Sequence, residues 1–138
     1  MAKKLKILKR ILKLRKHEEY LEVQKFSKAQ SLVEEENRIL KNLMSTRSEG
    51  FRGFELGETA HGLALVAHEF IALREKQIMA QSKRLESAKA SAEKLFQALQ
   101  EKIQQRKMIE KLIEREKLAA KKEAHKKQQK AQDEFSAS

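Results

Sequence analysis

Residues 47–62 read RSEGFRGFELGETAHG, and this one stretch holds all four glycines of the chain: Gly50, Gly53, Gly57 and Gly62. The long segments on either side contain no glycine, and there is no proline anywhere. Glycine costs about 1 kcal/mol relative to alanine inside a helix and is among the strongest breakers of regular helix. A chain with one such break is expected to form two long helices joined by one turn. Phe51, Phe54 and Leu56 are large apolar groups in that short connection. They either fold back over the end of the helix pair or form an adhesive tip for a partner. Glu58 or Thr59 is placed to cap the second helix, and threonine is the better cap chemically.

Composition agrees with helices rather than with a thick core. Charged residues make up 37% of the 138-residue chain and aromatics 5%, with no tryptophan. Lys, Glu, Gln, Ala, Leu and Arg dominate, which is coiled-coil usage. Without cysteine there is neither a disulfide framework nor a thiolate metal site. No apolar run approaches the roughly 20 residues that span a bilayer. The basic N-terminus, KKLKILKRILKLRK (3–16), lacks the continuous apolar stretch of a secretory signal. A cytoplasmic protein is expected.

Apolar residues outside the glycine stretch recur with heptad spacing. In the first arm Leu5, Leu12, Phe26, Val33 and Leu40 lie on a seven-residue repeat, with Glu19 in the missing slot, and Leu8, Val23, Ala29 and Leu43 accompany them. Between Arg15 and Glu22 charge replaces apolar side chains, so looser packing is expected there. In the second arm Ile78, Leu85, Ala92 and Leu99 take one heptad position and Ala88, Leu95 and Ile109 the other. Lys102 and Arg106 interrupt the repeat before Ile113 and Ala120 resume it. Ala88, Ala90 and Ala92 would let a partner helix approach closely. The polar run AAKKEAHKKQQKAQ (119–132) has no stripe to bury and is either an exposed helix or frayed.

The fold class is therefore all-α: a single antiparallel two-helix coiled-coil hairpin over residues 1–138. Its first helix is expected at about 3–48, the turn at about 49–58 and a second, longer helix at about 59–130, followed by a flexible C-terminus at about 131–138. A 1.5 Å rise per residue makes the arms about 70 Å and about 105 Å long. A monomeric hairpin is expected.

The net charge of +11 is unevenly spread. Residues 1–16 carry eight Lys or Arg and no acid, and residues 117–130 carry six Lys against one Glu. A hairpin turned at the glycines brings these segments together as a basic pole and leaves the body nearly neutral. Like charges so gathered are either a solvated cluster or an interaction surface for an anionic partner. Nucleic acid is one such partner, but the basic ends lack stacking aromatics apart from nearby Tyr20 and Phe135, and no groove-reading motif is present, so no specific nucleic acid is expected. An anionic membrane is another, since Leu5, Leu8, Ile11 and Leu12 form an apolar face among lysines, although those leucines also begin the seam. An acidic protein surface is the third.

No catalytic, cofactor-binding or metal site is visible. His17, His61, His68 and His125 lack the i, i+4 pairing of a helical zinc site. The glycines do not follow a phosphate-loop pattern. Glu34, Glu35 and Glu36 are consecutive and point in different directions on a helix. A two-helix hairpin also lacks the concave pocket that catalysis favours. A non-enzyme without cofactors is expected.

Four pieces in order carry a family resemblance: KRILKLRKHEEYLEVQKFSKAQ (9–30), the single turn, FIALREKQI (70–78), and KKQQKAQDEF (126–135). Together they cover nearly the whole chain, and it resembles the FliJ family of bacterial flagellar export proteins. The resemblance implies an antiparallel coiled coil like the central stalk of rotary ATPases, working in the type III export apparatus. Its implied partners are the flagellar export ATPase ring, whose assembly it would promote, the membrane-embedded export gate, and empty export chaperones. The location implied is the cytoplasm, with peripheral association at the inner face of the membrane at the flagellar base. The equivalent stalk of an injectisome is a variant of the same reading, and a basic nucleic-acid-binding or membrane-binding coiled coil is the alternative class.

Carried over by residue, the resemblance implies an export-gate contact at Phe70, Leu43, Arg47, Gln77 and Gln81. Phe70 sits one position off the 71/74/78 stripe, which leaves it either exposed or packed over the flank. Leu40 belongs with this patch by position and with the seam by spacing. Family members often place aromatics in the first-helix part, and Leu43 and Arg47 depart from that pattern. The resemblance gives the terminal end to the ATPase ring, and there the basic pole offers Lys4, Lys9, Arg10, Lys13, Lys121, Lys122, Lys126 and Lys127.

Overall fold

The computed structural model describes the backbone of residues 2–56 and 61–137 and the side chains of residues 2–49 and 65–137. It contains two helices, α1 (Ala2–Leu56) and the longer α2 (His61–Ala137). They pack against each other as an antiparallel hairpin. As the residue number rises along α1, its partner's number falls along α2: Lys4 meets Glu116, Phe26 meets Phe96, and Arg47 meets Glu75.

Both helices outrun the expected bounds. α1 continues through Gly50 and Gly53 to Leu56, and no described glycine has positive φ. Two glycines each costing about 1 kcal/mol do not stop a helix whose costly nucleation is already behind it. The expected cap at Glu58 or Thr59 lies outside the described residues, as do the side chains of Phe51, Phe54 and Leu56. At the other terminus α2 runs to Ala137, and residues 117–137 are exposed throughout. Ala, Lys, Glu and Gln are strong helix formers, which sustains this polar stretch without a buried face.

Burial follows the heptads. On α1 the half-buried or buried positions include 5, 8, 12, 15, 19, 22, 26, 29, 33, 36, 40, 43 and 47, in alternating steps of three and four. On α2 they include 71, 74, 78, 81, 85, 88, 92, 95, 99, 102, 106, 109, 113 and 116. Val23 does not join them; it is exposed, and Glu22 takes its place. The step of three after Glu19 falls on 22, and the next of four on Phe26, so continuity of the seam puts the carboxylate inside and the valine outside. Ala120 is exposed as well.

Packing groups the residues into two units. One is Met1–Gln24 with Gln97–Ser138 and the other is Lys25–Phe96. In the second unit the buried core is Ile78, Leu85, Ala88 and Ala92. Burying a leucine or isoleucine fully contributes about 1.5–3 kcal/mol. The rings of Phe26 and Phe96 meet there, tilted, with centroids 5.4 Å apart. In the first unit Leu8, Leu99 and Ile113 are buried, and the seam between them is polar. Arg15 bonds Glu18 at 3.1 Å and donates to Gln105 at 3.4 Å; Lys102 lies 3.5 Å from Glu18; and Arg106 lies 2.5 Å from Glu19. The charged interruption is thus a cross-helix ionic layer.

Candidate functional site

Within the second unit, Leu43, Gln77 and Gln81 line one open hollow of about 290 Å3, together with Arg74, Ala80 and Arg84. Heptad geometry explains why. Leu43 and Gln81 occupy seam positions on facing helices, and Gln77 flanks them one turn earlier on α2. Gln81 is 5% exposed, and its amide donates to the Glu36 carbonyl at 2.9 Å and to the Glu36 carboxylate. It forms part of the hollow's floor rather than its rim. Leu40 is half-buried in the seam.

Phe70 stands beside the hollow, 41% exposed. The Arg74 guanidinium lies over its ring, 5.0 Å from the centroid, and donates to Gln77 at 2.9 Å. The ring is thus held on one side by a cation and open to solvent on the other. Arg74 is the residue that sequence reasoning missed. It joins Phe70 to Gln77, and its buried Nε has no hydrogen-bond partner. Its signal was available, since an arginine at a heptad core position needs an acceptor. Arg47 is not part of the hollow's lining and pairs with Glu75 at 2.9 Å.

Within the first unit, residues 4–15 of α1 lie beside about 105–116 of α2, so the basic segment 117–130 adjoins the start of α1 and runs on beyond it. Lys4 pairs with Glu116 at 3.1 Å. Lys9, Arg10 and Lys13 line a shallow hollow of about 390 Å3 with Lys6, Leu12 and Lys16. Lys121 borders a larger, apolar one of about 640 Å3 formed chiefly by Leu5, Leu118, Ala120 and Ala124. Lys122, Lys126 and Lys127 are exposed on α2.

The ionic layer sets the electrostatics of this unit. The hydrogen bond from Arg15, opposed by desolvation and helped by Lys102, holds Glu18 below the ordinary carboxylate range. Hydrogen bonds to Glu110 and then Glu19 push Arg106 further up, so it stays charged. No group of three or more potential metal ligands occurs among the described residues.

No described helix is long and apolar enough to cross a membrane. No curated protein and no solved structure matches the chain. The family model described as flagellar FliJ protein matches residues 5–138, nearly the whole chain. The chain belongs to the flagellar FliJ family, and it is a component of flagellar type III protein export.

Proposed function

We propose that this chain is a non-enzymatic, stalk-like partner of the flagellar export ATPase ring. In this reading its basic unit enters the ring, and the Phe70 surface contacts the cytoplasmic part of the membrane-embedded export gate. Handling of empty export chaperones belongs to the same role, as does a place at the inner face of the membrane at the flagellar base. The observation that carries the reading is the gathering of residues 1–16 and 117–130 into one unit. Their lysines and arginines are mostly exposed, and the two segments hold one acid between them, Glu123.

Lys4, Lys9, Arg10, Lys13, Lys121, Lys122, Lys126 and Lys127 would bias subunit packing in the ring through their field, without performing chemistry. The test is ATP hydrolysis by the export ATPase with the wild-type chain and with these eight residues changed to Gln. Stimulation should fall markedly in the variant while its helicity is retained. Equal stimulation at low salt by both proteins would sink the electrostatic role.

A further inference from the structure

The seam leaves a second apolar face uncovered in the first unit. Ile7 and Leu14 are 55% and 56% exposed, and they lie seven residues apart on one line of α1. Ile11, half-buried, sits between that line and the seam. On α2, Met108 is 63% exposed and Leu112 is partly so. One ion pair and one hydrogen bond show that these two groups share one side of the hairpin. Lys4 pairs with Glu116 and Arg15 donates to Gln105. Ile11 lies seven residues after Lys4 and four before Arg15, while Leu112 lies seven after Gln105 and four before Glu116. Positions so spaced share a helix face, so Ile11 and Leu112 flank the same edge, with Ile7, Leu14 and Met108 next to them.

Cations border this shelf on both helices. Lys3 and Arg10 stand on the outer side of the Ile7 line, and Arg115 and Lys122 follow Met108 at spacings of seven; all four are exposed. Of the acids nearby, Glu116 is engaged by Lys4 and Glu18 by Arg15 and Lys102, while exposed Glu101 lies one heptad before Met108. We infer that this face docks on an anionic lipid bilayer. Ile7, Leu14 and Met108 would enter the headgroup–acyl boundary, and the bordering cations would lie at the phosphates.

Two features favour lipid over an acidic protein helix. The apolar side chains protrude from two neighbouring helices instead of lining a groove, and protruding side chains suit a fluid interface. Cations on both borders match a uniformly anionic plane, where each basic residue adds to attraction within about a Debye length. The seam leucines are not required, so docking leaves the hairpin closed.

The inference rests on the membrane-side location proposed above, gives it a surface that shares Arg10 and Lys122 with the ring contact, and is tested without the ATPase. The full chain is floated with vesicles of zwitterionic lipid alone and with vesicles containing anionic phospholipid, at low and raised salt. Wild type should float with the anionic vesicles, and less so as salt rises. Changing Ile7, Leu14 and Met108 together to Gln should lower partitioning about tenfold or more, with far-ultraviolet circular dichroism unchanged. Changing Leu32 and Met79, exposed apolar residues outside the shelf, to Gln should leave it unchanged. Failure of wild type to float with anionic vesicles overturns the inference and leaves an acidic protein as the occupant. Equal flotation by the shelf variant also overturns it, because binding would then be by charge alone.

Discussion

Arg106 on α2 lies 2.5 Å from Glu19 on α1, and each occupies a heptad position that an apolar side chain would ordinarily fill. Arg106 also bonds Glu110 at 2.9 Å, so one guanidinium closes the seam and braces its own helix. Both members of the pair are mostly withdrawn from water, with side chains 24% and 19% exposed. Removing one partner therefore strands the other. Glu19→Ala should destabilise the hairpin by about 1–3 kcal/mol. Replacing both by leucine should be neutral or stabilising, because packed apolar groups escape the desolvation cost of the ions. Urea unfolding followed by circular dichroism separates the two outcomes.

Acid should weaken the same layer through Glu18. Its folded pKa lies below its ordinary value of 4.5, chiefly because Arg15 bonds the ionised form. Below 4.5 the unfolded chain takes up protons that the folded chain resists, so this contribution is present above that pH. It is lost as pH falls through the folded value. Carboxyl-carbon titration by NMR should show Glu18 titrating below the ordinary range. Arg15→Met should raise its midpoint and reduce the acid sensitivity of unfolding.

Gln81 is the buried polar residue among the described residues of the second unit, spent on Glu36. A single polar group in a coiled-coil core fixes register at some cost in stability. Gln81→Ala should cost about 1–2 kcal/mol in urea unfolding. Gln81→Leu should unfold within about 1 kcal/mol of wild type but associate into larger species in analytical ultracentrifugation.

Much of the fold was legible because heptad spacing reports directly on which side chains meet. Phe26, Val33, Leu85 and Leu99 were placed by arithmetic alone. Glu22 and Val23 were exchanged because hydropathy favours the valine, whereas only the continuous stripe through Glu19 and Phe26 decides the matter. The glycines marked the region of reversal but not the end of α1, since Gly50 and Gly53 cost less than an established helix can tolerate. At the candidate sites the residues were legible and their roles were not. Gln81 looks like any surface glutamine until the opposite helix places Glu36 against it. Arg74 is marked by its place on the heptad stripe, but the contact of its guanidinium with Phe70 shows only in the folded pair. The apolar shelf was hidden because Ile7 and Met108 are far apart in sequence, and only the pairing of Lys4 with Glu116 puts them on one side.

Phe70 is open to solvent on the side away from Arg74, so its loss should matter to a partner more than to the fold. Phe70→Ala should shift unfolding by less than about 1 kcal/mol. It should weaken binding to the cytoplasmic domain of the export gate by about tenfold or more. Arg74→Ala should weaken binding too, because the ring loses its cation and Gln77 its donor. Calorimetric titration measures both; unaltered affinity in the Phe70 variant would remove this surface from the gate contact.

Partnership with the export ATPase is tested by combining the purified ATPase with the full chain. ATP hydrolysis and the size of the ATPase assembly are followed together. The stalk-like role predicts faster hydrolysis and a shift toward rings that co-migrate with the chain. Unchanged hydrolysis, with no co-migration at low salt, would contradict it.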